Sequence, residues 1–207
     1  MKDFRDLIQD SINQSILVKQ QLLESCYSDI DQAGKLLAHQ LSIGGKILFC
    51  GNGGSAADSQ HLAAELVVRL RSNVNRPALA AMALTVDPSV MTAGGNDIGF
   101  ENVFARSVEA LGRDGDVLIG ISTSGNSENV LRAMVEAKNK NMKVIGLLGA
   151  GGGKIAVECD IAVIVPSKVT ARIQESHILI GHIWCEMIEE ILFPHYFENI
   201  KKIFCSN

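Results

Sequence analysis

Residues 2–43 contain no proline, and the first glycine is Gly34. Within them Phe4, Leu7, Ile8, Ile12 and Ile16 recur at helical spacing. The pattern predicts one long helix, or two in succession, stopped by Gly44-Gly45. Such an arm packs either on a partner subunit or on its own sheet, and the pattern leaves both open. From Lys46 the periodicity changes. Short apolar runs, KILFC (46–50), ALAAMAL (78–84), DVLIGI (116–121), KVIGLLG (143–149) and IAVIVP (161–166), read as buried strands. Between and after them lie helical stretches: SAADSQHLAAELVVRL from Ser55, VEAL before Gly112, NSENVLRAMVEAKNKN from Asn126, and a last helix from about Thr170 to Leu192 near Pro194. Asp87-Pro88 reads as the end of the second strand.

Strands that are nearly all apolar and alternate with helices indicate an α/β fold with a parallel sheet covered on both faces. Ligands of such sheets bind beyond the carboxyl ends of the strands, so the loops after the strands carry the chemistry. With 207 residues and 47% hydrophobic content the chain fits one domain: residues 1–43 an N-terminal helical arm, 44–193 the α/β core, 194–207 a C-terminal tail.

Two post-strand loops stand out. GNGGSAADS (51–59) follows the first strand and STSGNSEN (122–129) the third; both are rich in glycine and hydroxyls and both lead into a helix. Glycine lets the backbone approach a ligand, and the helix N-terminus favours an anion. No G-K-[ST] follows, which excludes a P-loop. The looser dinucleotide pattern lacks an acidic residue about 20 positions on. A serine-rich, cation-poor cradle suits a phosphate on a small sugar. His61 and Glu65 then fall at i, i+4 on one face of the following helix, with Arg69 continuing that stripe. On the last helix Gln174 and His182 lie eight residues apart on roughly one face, with His177 and Glu186 nearby.

Composition narrows the classes. A net charge of −4 with no basic run gives no nucleic-acid face. No apolar run approaches the ~18 residues of a membrane span, so no membrane is expected as a partner. The five cysteines, Cys26, Cys50, Cys159, Cys185 and Cys205, are odd in number with no C-x-x-C pair, which argues for reduced thiols and a cytoplasmic location.

Taken together, CGNGGSAADSQHLAAEL (50–66), GND (95–97), DVLIGISTSGNSENV (116–130) and TARIQESHILIGH (170–182) resemble the phosphoheptose isomerases of the sugar isomerase (SIS) domain class. The likeness spans nearly the whole chain, with the motifs in family order. It implies a three-layer, flavodoxin-like sandwich around a five-stranded parallel sheet, a homotetramer, and one Zn²⁺ per subunit held by His61, Glu65, Gln174 and His182. It implies interconversion of sedoheptulose 7-phosphate with D-glycero-D-manno-heptose 7-phosphate, the first step towards nucleotide-activated heptose for lipopolysaccharide and other surface glycans. The implied substrate contacts are Asn52, Gly53, Gly54, Glu65, Asn96, Asp97, Ser122, Thr123, Ser124, Ser127 and Gln174. Moving a proton between C1 and C2 needs a base and a partner acid, and Glu65 and His182 are the catalytic candidates.

Two departures stand beside the resemblance. Val169-Thr170-Ala171 carries no acid where some members have an aspartate upstream of the arginine matching Arg172. ILFPHYFEN (191–199) is similar to a sister branch that binds the bacterial replication initiator without isomerising a sugar. That branch lacks the counterparts of Glu65 and His182, which this chain keeps.

Overall fold

The computed structural model describes residues 3–197; the end of the expected tail, with Cys205, lies outside the described residues. The N-terminal arm is two helices, α1 (Arg5–Ser25) and α2 (Tyr27–Ser42), broken at Cys26. There follow β1 (Ile47–Gly51), α3 (Gly54–Val67), β2 (Ala81–Ala83), α4 (Pro88–Asp97), α5 (Val103–Leu111), β3 (Val117–Ser122), α6 (Glu128–Asn139), β4 (Lys143–Leu148), β5 (Ile161–Ile164) and α7 (Thr170–Leu192). The five strands are all parallel in the order β2-β1-β3-β4-β5. This is the doubly wound, flavodoxin-type order.

Every central strand is apolar on both sides because both sides are covered. Ile47, Phe49, Val117, Ile119, Ile121, Ile145 and Leu147 face a core built with α2, α3 and α7, whose centre is Trp184. The alternate residues Leu48, Cys50, Leu118, Val144 and Leu148 face a second core with Phe104, Val108, Val130 and Met134 from α5 and α6. The period of two in a strand sends neighbours to opposite layers, so both sets must be apolar. The Trp184 indole N–H finds its acceptor at the Ile30 carbonyl, 3.0 Å away, and joins α7 to α2.

The arm therefore divides. α2 lies on its own core through Ala33, Leu37 and Ala38, whereas α1 buries only Val18 and Leu22. Ile8, Ile12 and Ile16 stay half exposed, at 58%, 54% and 50%.

Three elements differ from the sequence expectation. β2 is three residues rather than seven, an edge strand with Met82 exposed. Asp87-Pro88 begins a helix: the Asp87 carboxylate accepts the Ser89 and Val90 amides, and proline takes the first helical position, where no N–H is needed. α3 ends at Val67, so Arg69 leaves the face that carries His61 and Glu65.

At the amino end of the sheet the buried Asp116 carboxylate accepts the amides of Lys46 (2.9 Å) and Arg113 (2.8 Å), and pairs with the Lys46 ammonium. It holds the start of β1 to the start of β3. Asp116→Ala strands two amide donors and one cation, and we expect a loss of about 2–4 kcal/mol in unfolding free energy. Urea denaturation at fixed protein concentration measures it.

Candidate functional site

In a sheet of this order the helix after β1 covers one face and the helix after β3 the other. A crevice opens between the carboxyl ends of β1 and β3. Both singled-out loops sit there. After β1 the chain turns at Gly53, which takes φ +56° and begins α3 without a side-chain cap. A Cβ on Gly54 would collide with the Gln174 carboxamide, so the glycine leaves the room that Gln174 occupies. Gln174, in the first turns of α7, is thereby brought to the glycine turn.

Across the crevice, the Asn52 and Asn129 carboxamides exchange two hydrogen bonds of 2.8 Å and tie the β1 loop to the first turn of α6. Ser127 occupies the N-cap position of α6, but its hydroxyl does not cap the helix; it shares a 2.9 Å hydrogen bond with the Ser122 hydroxyl instead. The Ser124 hydroxyl accepts the Asn126 amide at 3.2 Å, and Thr123 stands half buried between them. Gly125, at φ +65°, lies so close to the backbone of Gly152 and Gly153 that no side chain fits. The loop after β4 thus buttresses the serine loop from behind.

His61 and Glu65 on α3 meet His182 on α7. The two Nε2 atoms stand 2.8 Å apart, and His61 Nε2 lies 3.4 Å from Glu65 Oε1. The helices approach this closely because Gly181, beside His182, has no side chain; a Cβ there would strike Leu62, the neighbour of His61. His61 is exposed, while Glu65 and His182 are half buried. As a neutral pair the imidazoles form one hydrogen bond. As two lone pairs beside a carboxylate they form a cation site. Tetrahedral zinc bonds of about 2.0–2.1 Å set ligand atoms about 3.3 Å apart, and the observed separations bracket that value. The donor set fits zinc. One turn before His61, Asp58 has a buried carboxylate oxygen without a partner; burial raises its pKa, against the opposing effect of His61.

The remaining expected residues separate. Asn96 and Asp97, at the end of α4, are exposed and bonded to each other at 2.7 Å; no hydrogen bond among the described residues joins them to the cluster. Glu186 is exposed, whereas His177 is wholly buried. The His177 Nε2–H donates to the Leu148 carbonyl at 3.1 Å, and burial pushes its pKa down to about 4. Arg172 needs no acid at Val169–Ala171. It pairs with Glu175 at 2.6 Å and donates to the Ser11 carbonyl of α1. Sequence reasoning passed over Asn129, Arg76 and Glu189, whose partners lie on distant segments. The one available signal for Asn129 was its place within STSGNSEN.

Residues 12–149 match the SIS domain family. The chain is 52% identical to the phosphoheptose isomerase of Leptospira biflexa over 187 residues, 90% of this chain and 96% of that one. It is 64% identical to the phosphoheptose isomerase of a Nitratiruptor species over 145 residues, 70% and 76% of the two chains. The solved phosphoheptose isomerase of Neisseria gonorrhoeae matches with a TM-score of 0.85 at 46% identity, covering 91% of this chain and 100% of that one. That of Francisella tularensis matches with 0.87 at 41% identity and the same coverage.

The burial of His177 has a consequence for acid stability. The unfolded chain takes up this proton near pH 6.5 and the folded chain near 4. Between those values the unfolded state binds more protons, so stability falls as pH drops. The total is up to about 3 kcal/mol, with no further loss from this group below pH 4. In urea titrations from pH 7 to 4, His177→Gln flattens that slope.

Proposed function

We infer the activity from one premise: this chain belongs to the phosphoheptose isomerase family of SIS domain proteins. It is an aldose–ketose isomerase that interconverts sedoheptulose 7-phosphate and D-glycero-D-manno-heptose 7-phosphate, the first step towards nucleotide-activated heptose. The observation that carries this reading is the meeting of His61, Glu65 and His182 between α3 and α7, two helices whose first turns also meet where Gln174 packs on Gly54.

Membership of the family supports the following division of labour. Asn52, Gly53 and Gly54 bring backbone close to the sugar. The loop Ser122-Thr123-Ser124 with Ser127 offers hydroxyls and the N-terminus of α6 to the phosphate, where the helix dipole favours negative charge. Gln174 reaches the same turn and reads a sugar hydroxyl, and Asn96 and Asp97 contribute from α4. Glu65 takes the carbon-bound proton of the enediol step, and His182 moves the oxygen-bound one. Only Glu65 Oε1 is engaged with His61, so the second oxygen is left for proton transfer.

His61, Glu65 and His182, joined by Gln174, would hold one zinc ion per subunit. When bound it supplies a Lewis acid for the substrate's carbonyl. With no thiolate in the set, binding is weaker than at a cysteine site.

The assembly is a homotetramer, supported by α1. Its exposed Ile8, Ile12 and Ile16 at i, i+4 spacing form one apolar stripe with Leu23, and Leu7 and Leu17 are exposed on other sides of the helix. A cytoplasmic site of action is in keeping with the absence, among the described residues, of any helix long and apolar enough to cross a membrane.

Two measurements test these readings. Purified protein supplied with zinc and sedoheptulose 7-phosphate yields the aldose product by NMR, and Glu65→Gln lowers turnover by at least about a hundredfold. A fully active Glu65→Gln removes Glu65 from the chemistry, and an inactive wild type refutes the activity. Light scattering after size exclusion gives the mass of four copies. Ile12→Asp with Ile16→Asp lowers that mass, while an unchanged tetramer assigns the stripe no role in assembly.

A further inference from the structure

Below the cluster, between the same two helices, lies an ion pair with no exposure on either side. Arg76 and Glu189 both have side chains at 0% accessibility. Arg76 donates through Nε to Glu189 Oε1 (3.1 Å), through Nη2 to the Glu65 carbonyl (2.7 Å), and through Nη1 to the carbonyls of Leu66 (2.7 Å) and Pro77 (3.1 Å). Glu65 and Leu66 are in the last turn of α3, where carbonyls lose their helical partners. The guanidinium supplies those partners. Glu189 also receives the Leu70 amide at 3.4 Å, and its other oxygen lies 3.3 Å from Arg71 Nε, without hydrogen-bond alignment.

Glu189 is seven residues after His182. That is two helical turns, about 10 Å along the same face of α7. The pair therefore grips α3 at the backbone of Glu65 and grips α7 on the face that carries His182. Burying two charges is costly, and apolar replacements of such pairs are often no less stable. Stability alone does not call for this arrangement. A planar fork with fixed directions does supply alignment.

We propose that Arg76 and Glu189 are positioning residues of the active centre: their buried ion pair sets the spacing and rotation of α3 against α7, and through it the geometry of His61, Glu65 and His182. The proposal rests on the reading of that cluster as the working centre. Outer groups that orient ligands in this way typically change metal affinity or turnover 10–100-fold when removed.

The test uses full-length protein and three changes: the double variant Arg76→Met/Glu189→Leu, Glu189→Gln, and Asp116→Asn as a destabilised control whose hydrogen bonds join β1 to β3 and touch neither α3 nor α7. Zinc affinity is read by competition with a chromophoric chelator, kcat and KM with sedoheptulose 7-phosphate, and Tm by thermal unfolding. Expected for the double variant are a folded protein, kcat and zinc affinity each lower by about 10–100-fold, and KM within about threefold of wild type. The control keeps kcat and zinc affinity despite a lower Tm. If the double variant fails to fold, Glu189→Gln carries the test: it keeps the shape, removes the charge, and lowers zinc affinity about tenfold. Wild-type zinc affinity and kcat in every folded variant overturn the proposal while the isomerase reading stands. A wild type that neither turns over the sugar nor binds zinc overturns both.

Discussion

The site exists because α3 and α7 touch where they do. One helix follows the first strand and the other follows the last, and nothing local in either brings His61 towards His182. The absent side chain of Gly181 admits Leu62, and the two backbones come near enough for imidazoles from both to meet at 2.8 Å. The position of Trp184 over α2 and the packing of Leu62, Leu66, Ile180 and Ile188 on the sheet are consistent with that one spacing.

The sheet supplies the other half. Its strand order reverses at β1 and β3, so the two loops diverge to opposite faces and leave polar backbone uncovered between them. The Asn52–Asn129 exchange keeps that opening from spreading, and the close contact of Gly125 with Gly152 and Gly153 keeps the serine loop from sinking into it. A ligand meets walls already in place, and less ordering is needed on binding.

Much of this was legible in the sequence where local pattern and global fold agree. α7 runs from Thr170 to Leu192 as its pattern predicts, and the four longer strands overlap their apolar runs with ends shifted by at most two residues. The His61–Glu65 pair was legible because i, i+4 is a local relation. β2 was overestimated because alanine-rich residues at an edge look like a buried strand. α4 was missed because Asp87-Pro88 marks a helix start as well as a strand end, and dipeptide signals alone do not choose. Arg69 was misplaced because Val67-Val68 carries no breaker, while the end of α3 is set by Arg76, nine residues past its last residue. Arg76, Glu189 and Asn129 look like surface residues in sequence. Their burial follows from long-range partners that no window of the chain contains.

The cluster joins residues 121 positions apart, and its final member lies on α7, the last α-helix described. During synthesis the glycine turn, the serine loop and most of the parallel sheet emerge from the ribosome before His182 does. A sheet whose pairings are non-local gathers late, and partly folded chains of this kind expose apolar faces that invite aggregation. Such an intermediate has both loops while His61 and Glu65 still lack His182. The cluster closes only when α7 docks, so a chain that stops before that helix holds two of its three members.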